Sequence, residues 1–242
     1  MKILVTGAAG MLGTDLTKRL VSGGHDVTGV DRAEFDILDE LAVRDAVAGI
    51  RPEWVIHCAA FTSVDVCEKE SETAFRVNAD GARNIAKACW GTGARMLYIS
   101  TDYVYDGSKR EPYIETDPVN PLSVYGKSKL KGEEEILKVL PEALIVRTSW
   151  LFGANGPNFV KAILGQVGVK DELPVVDDQT GNPTYTPDLA DALTRLVEAD
   201  AKGVFHAANE GQCTWFDYAK KILELAGATG ITVKPITTEQ LA

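Results

Sequence analysis

At 242 residues, 45% hydrophobic and 25% charged, the chain has an ordinary globular composition and length for one large core or two small ones. A net charge of −10 excludes the basic face that nucleic acid or an anionic membrane would need, although backbone amides at a helix N-terminus hold a small anion whatever the net charge. No apolar run is long enough to span a bilayer and no signal peptide fits the start, so a cytoplasmic protein is expected.

Residues 2–6 form a short continuous apolar run, the pattern of a strand buried on both faces. Gly7-Ala8-Ala9-Gly10-Met11-Leu12-Gly13 follows, then helical spacing over 15–20, which Gly23-Gly24 closes. Residues 26–30 read as a second strand ending at Asp31-Arg32. Two strands joined through a helix need a right-handed crossover, and therefore a parallel sheet. The alternation continues with a helix over 41–50, a strand over 54–60, a long helix within 71–90 and a strand over 95–101. Pro121 opens a helix bearing Tyr125, and 143–149 is again a strand. Such alternation with central apolar strands predicts an α/β, doubly wound parallel sheet.

After Trp150 glycines and prolines break the rhythm into shorter elements: helices over 159–165, 188–199 and 215–226, and a strand over 203–207. The expected division is a dinucleotide-binding domain over 1–149 and a small C-terminal substrate-binding lobe over 150–242, with 188–210 returning to the sheet. The lobe sits over the carboxyl edge, where open α/β sheets bind ligands.

Three places carry chemistry. In the glycine turn, Gly7 permits the tight bend, Gly10 lets backbone approach a pyrophosphate, and Gly13 lets the helix pack close to the strand. Asp31 ends the next strand where a ribose hydroxyl would sit; it suits the free 2′-hydroxyl of NAD, while Arg32 suits the 2′-phosphate of NADP, and their adjacency leaves NADPH or NADH open. Asp36 either meets the adenine amine or caps the helix beginning near Asp39. Second, the strand through Ser100 and Thr101 ends in hydroxyls at the cofactor cleft, where Thr101 either donates to a substrate carbonyl or merely closes the strand. Third, Tyr125 and Lys129 stand at i and i+4, one face of a helix, and a nearby ammonium favours phenolate, so Lys129 is expected to bring Tyr125 closer to titration.

Other features read as structural. His57 beside Cys58 lies in an apolar strand with no further ligand at metal spacing, which predicts a satisfied core histidine. Cys58, Cys67, Cys89 and Cys213 show no pairing pattern and are expected to be reduced core thiols. No Gly-x-Ser-x-Gly elbow accompanies the serines, and Phe216 and Tyr218 group with Ile222 and Leu223 as core.

Taken together, Thr6-Gly7-x-x-Gly10-x-x-Gly13, Ser100-Thr101-Asp102 and Tyr125-x-x-x-Lys129 resemble the extended short-chain dehydrogenase/reductase family, whose fold is the Rossmann sheet. Ser100-Thr101-Asp102-Tyr103-Val104-Tyr105, Arg147-Thr148-Ser149-Trp150-Leu151-Phe152-Gly153, Asn158-Phe159-Val160 and Asp178-Gln179-x-Gly181-x-Pro183-Thr184 are similar to its dTDP-4-dehydrorhamnose reductase branch. The resemblance implies reduction of the C4 ketone of a nucleotide sugar by NADPH or NADH, with Thr101, Tyr125 and Lys129 catalytic. It implies a cofactor lined by Gly7, Gly10, Met11, Leu12, Asp36, Ile37, Ala59, Ala60 and Phe61, and a sugar nucleotide touching Thr101, Asp102 and Trp150. A monomer or homodimer without nucleic acid or membrane partners is expected. Members that hold magnesium at a dimer interface use acidic residues; Asp15 matches one, but Pro187 stands near another, so no metal is expected. Relatives continue past the equivalent of Leu241-Ala242, so the chain is truncated or its pocket is unusually open. Within the family, 4,6-dehydratases carry Asp-Glu after the threonine, and here Tyr103 stands in the Glu position. A 4,6-dehydratase, disfavoured on that ground, a 4-epimerase and a non-catalytic, NADP-binding regulatory subunit are the alternatives.

Overall fold

The computed structural model describes residues 1–241; residue 242, the last of the predicted lobe, lies outside them. β1 (Lys2–Thr6), α1 (Met11–Ser22) and β2 (Asp26–Val30) form the first β-α-β unit, and Ile3, Leu4 and Val5 are wholly buried, as a strand covered on both faces requires. α2 (Glu40–Ile50) is capped by Asp39, whose carboxylate accepts from the N–H groups of Leu41 and Ala42. Asp36 is therefore not the cap; it accepts from the Leu38 N–H one turn earlier.

β3 (Trp54–His57) is shorter than the predicted 54–60, because after Cys58 N–H meets Thr6 O the chain leaves the ladder to cross the glycine turn. A short helix that the sequence reading lacks, α3 (Val64–Lys69), comes next, and the long helix expected within 71–90 follows as α4 (Ser71–Phe75), a turn of π-helix (Arg76–Gly81) and α5 (Ala82–Thr92), helical throughout. The wide turn frees Asn78 for tertiary bonds, and its carbonyl accepts from the Tyr98 hydroxyl at 3.0 Å. β4 (Arg95–Thr101) runs into a 3-10 turn (Asp102–Val104). α6 (Val124–Val139) begins past Pro121, because the Ser123 hydroxyl accepts from Gly126 N–H and sets the start there.

β5 (Leu144–Thr148), β6 (Leu151–Phe152), α7 (Phe159–Leu164), β7 (Glu172–Val176), β8 (Thr180–Gly181), β9 (Thr184–Tyr185), α8 (Thr186–Glu198), β10 (Gly203–His206), β11 (Cys213–Thr214), α9 (Trp215–Leu225), β12 (Thr232–Ile236) and α10 (Thr238–Leu241) complete the chain. Among the described residues the main sheet has six parallel strands in the order β10-β5-β4-β3-β1-β2. The order reverses between β1 and β3, and ligands of open α/β sheets bind at such a switch point. One face buries Val43, Val47, Ile85 and Ile136 under α2, α5 and α6; the other buries Leu16, Leu20, Leu189 and Leu193 under α1 and α8.

A third core unites Ile163, Leu173, Val175, Ile222 and Leu223, with Phe216 and Tyr218 packed on it. Its parallel pair β7 and β12 escapes the sequence reading because Pro174 and Pro235 interrupt both strands, which a two-stranded ribbon tolerates on its edges. Cys67 and Cys89 are buried, whereas Cys58 and Cys213 are only half-buried, and all four are free thiols. No helix among the described residues is long and apolar enough to cross a membrane.

Candidate active site

The glycine turn closes over the carboxyl end of β1. Gly7 has φ of 70° and donates to Val30 O, and a side chain on it would meet Ala59 N at 2.7 Å. Gly13 sits against the Gly7 carbonyl, so any larger residue would lift α1 off the turn. Gly10 caps α1 without a side-chain bond, leaving first-turn N–H donors available to an anion. Leu12 spends its side chain in the core, and Met11 Sδ receives the Asn158 amide at 3.7 Å. Asp31, the residue after β2, accepts from Ala9 N–H at 2.9 Å, which brings its carboxylate to the turn. Arg32 is exposed, within 3.4 Å of Asp36. Ile37 packs at Gly81, and its carbonyl accepts from Asn84. A glycine cradle with free N–H groups and a carboxylate at the neighbouring strand end fits a dinucleotide.

Opposite the turn, residues 59–61 are pinned by Asn78, which the sequence reading passes over. Its side chain accepts from Phe61 N–H at 2.8 Å and donates to Phe61 O at 3.0 Å and to Ser128 Oγ at 2.9 Å. Ser128 Oγ in turn donates to the Tyr125 carbonyl, so one buried amide joins the crossing loop to the helix that carries Tyr125. The available signal is an asparagine inside the apolar face Ala74, Val77 and Ala82, where a buried polar group needs partners.

Thr101 is buried at the end of β4 and lies on the strand beside Thr148 of β5. Its hydroxyl donates to Asp102 Oδ1 and accepts from Tyr103 N–H, both at 3.2 Å. α6 docks here because Gly126 abuts the Tyr103 carbonyl, an approach no side chain would allow. The half-buried Tyr125 ring meets Tyr103 edge-on at 5.6 Å. Burial raises the Tyr125 phenol, an interaction with the Thr101 hydroxyl lowers it, and the charge of Asp102 raises it again. Lys129 is not among these influences, which corrects the expectation that it would draw Tyr125 toward titration. Lys129 is itself 2% exposed, with Nζ 4.0 Å from the centroid of the Tyr98 ring, and burial pulls it down to about 7 against the pull of Glu133 and Cys58. Burial also pushes Asp102 up to about 6.

His57 is a core residue, but an incompletely satisfied one. Nδ1 bonds Thr6 Oγ1 at 2.6 Å, Nε2 has no partner among the described residues, and burial drops the ring to about 3. Trp150 is half-buried with φ of 45°, stacked on Trp215 at 3.5 Å, its indole against Gly181. Asp15 accepts from Thr186 Oγ1 at 2.5 Å and Asn155 Nδ2 at 2.9 Å, and no cluster of His, Cys, Asp or Glu able to hold a metal occurs among the described residues.

Residues 1–242 match the family described as the RmlD substrate binding domain. Over 245 residues the chain is 47% identical to the dTDP-4-dehydrorhamnose reductase of Streptomyces griseus, covering 99% of this chain and 81% of that one. It is 41% identical over 240 residues to the dTDP-4-keto-6-deoxy-D-glucose reductase of Streptomyces niveus, covering 99% and 83%. The dTDP-4-dehydrorhamnose reductase of Bacillus anthracis, solved in complex with NADP, superposes with a TM-score of 0.96 at 41% identity, over 100% of this chain and 85% of that one.

Proposed function

The chain belongs to the RmlD substrate binding domain family, and from that membership and its site we infer that it reduces the C4 ketone of dTDP-4-dehydrorhamnose, using NADPH. The observation that carries the reading is the convergence of Thr101, Tyr125 and Lys129 at the carboxyl edge, where α6 docks through Gly126 beside the end of β4. When bound, the reduced nicotinamide supplies hydride. We assign the phenol of Tyr125 the proton for the C4 oxygen. Burial keeps that phenol protonated, the state a ketone reduction needs at its start. The Thr101 hydroxyl turns from Asp102 to the substrate carbonyl and polarises it, and Asp102 accepts from a sugar hydroxyl. Lys129 holds the nicotinamide ribose through its ammonium. The first-turn N–H groups after Gly10 hold the pyrophosphate, Asp31 the adenosine ribose, and residues 59–61 the ring side of the cofactor.

In this reading residues 1–149 bind the dinucleotide and 150–242 the sugar nucleotide, with Trp150 as a wall at their junction. A cytoplasmic site of action is part of it, supported by the four free cysteines. The relative named for dTDP-4-keto-6-deoxy-D-glucose favours one further substrate, so both keto-sugars belong in the assay. NADPH absorbance at 340 nm should fall when dTDP-4-dehydrorhamnose is added; cofactor binding without turnover on either sugar would mark a non-catalytic binding protein instead. Tyr125→Phe should keep cofactor affinity and lose turnover on the order of a hundredfold or more, since only the proton donor is removed.

A further inference from the structure

Lys129 has a buried neighbour to which the mechanism above gives no task. Glu133, one helical turn on along α6, is 3% exposed and accepts from Arg147 Nε at 3.0 Å, from Arg147 Nη2 at 2.6 Å, and from the Ser100 hydroxyl. Arg147 is itself buried on β5 and donates its remaining arm to the Tyr105 hydroxyl at 2.7 Å. The carboxylate therefore bolts the helix carrying Tyr125 and Lys129 to the ends of β4 and β5, at the residue preceding Thr101. An ion pair so deeply buried costs desolvation energy that an apolar pair would avoid, and stability alone is a weak reason for one.

The groups around Lys129 give it another reason. From β3 and the residue after it come His57 and Cys58; from β4 comes Tyr98, and from its own helix Tyr125 and Glu133. Burial leaves His57 uncharged, pushes the Cys58 thiol up to about 12 and keeps both phenols protonated, so none of these four carries charge near neutral pH. On the other elements against α6, Cys67, Asp102 and Tyr103 act on Tyr125 rather than on Lys129, and Arg83 is taken up by Asp80 and Glu135. Glu68 on α3 is spent on the Val124 N–H at the start of α6, whereas Glu133 stands one turn from Lys129 on the same buried face and raises it, and the Tyr98 ring is the floor of the ammonium.

We propose that Glu133, held between Arg147 and Ser100, is a positioning residue that keeps Lys129 charged and in place over Tyr98. The proposal rests on the role given to Lys129 above. A carboxylate locked from two sides cannot follow Lys129 when cofactor binds, so its field stays constant while the ammonium turns to the ribose. Because it is pinned to the residue before Thr101, the same contact fixes the distance between helix and strand end.

The test titrates Lys129 directly, without substrate. Lysine carrying 13C at Cε is incorporated into the full chain, and the Lys129 signal is identified by its loss in Lys129→Met. In Glu133→Gln the Lys129 midpoint should fall by about one pH unit or more, because the compensating anion is gone. Since that variant strands the Arg147 charge, Glu133→Gln/Arg147→Met is measured beside it as a variant without the stranded charge; there the fall should have the same sign but be smaller, because the more distant Arg147 cation is removed together with the anion. NADPH affinity, followed by nucleotide fluorescence across pH, should decline from a correspondingly lower pH in the folded variant. An unchanged Lys129 midpoint in a folded variant overturns the proposal. A failure of keto-sugar turnover in the unsubstituted protein, with the midpoint shift intact, would instead count against the assigned reaction.

Discussion

At the scale of single residues, the site is a set of charges and hydroxyls moved out of water. Lys129 shows the consequence most directly. Its ordinary value is 10.5 and the folded value is about 7, so between those limits the unfolded chain binds the proton that the folded chain has released. Folding is therefore penalised by the buried ammonium at any pH below about 7, and the penalty is relieved as pH rises from about 7 to 10.5. Lys129→Met should accordingly raise stability at pH 6 by roughly 1–4 kcal/mol, since the folded value already includes the pull of Glu133, and the gain should shrink by pH 10. Urea unfolding at pH 6, 8 and 10 checks it, alongside the expected loss of turnover. His57 titrates in the opposite region. Its folded value near 3 against an ordinary 6.5 makes its contribution to stability fall as pH drops from about 6.5 toward 3, and His57→Asn should flatten that part of the acid-unfolding curve.

At the scale of elements, the decisive contacts are made where regular structure yields. The π turn at Arg76–Gly81 exposes the Asn78 side chain to the 59–61 crossing and to α6 together. Without it, Phe61 N–H would be left unpaired and Phe61 O would keep only the weak Cys67 thiol donor at 3.7 Å, a loss of about 1–3 kcal/mol for a buried group without a partner. Asn78→Ala should thus destabilise by roughly 2–4 kcal/mol. It should also weaken NADPH binding on the order of tenfold, because the crossing loop loses its anchor. Asn78→Asp keeps the acceptor for Phe61 N–H and should recover part of the affinity. Isothermal titration with NADPH ranks the three proteins; equal affinities would show that the loop holds its place unaided.

Across the whole molecule, the sheet and the third core meet at Trp150. The left-handed backbone there strains a bulky residue, and such strain persists at positions over-determined by their surroundings, often functional ones. Its ring stacks on Trp215, which packs against the core of α7, β7 and α9. Trp150→Ala should therefore cost about 1–2 kcal/mol through the lost aromatic pair. It should also raise KM for the nucleotide sugar by roughly tenfold, about 1.4 kcal/mol of contact. NADPH affinity should stay unchanged. A parallel loss of cofactor affinity would mean that the junction transmits to the glycine turn rather than lining the sugar.

The five strands through residue 149, the helices between them other than α3, the glycine turn and the Tyr125–Lys129 spacing were all legible in the chain. Each is a local pattern: apolar runs mark buried strands, glycines mark close approaches, and an i, i+4 spacing marks one helical face. After residue 150 the three main helices and the strand near 203–207 were legible, but not the short strands, and least of all the pair β7 and β12, since two prolines hide the strand pattern and nothing in sequence brings residue 174 beside residue 234. Only the tertiary structure decided what Lys129 faces. Sequence spacing put an ammonium near a phenol, whereas packing buried it over Tyr98, next to a carboxylate already held by Arg147. Desolvation acts on a group through everything that surrounds it in space, so its sign at Lys129 and Tyr125 could not be read from four residues of helix.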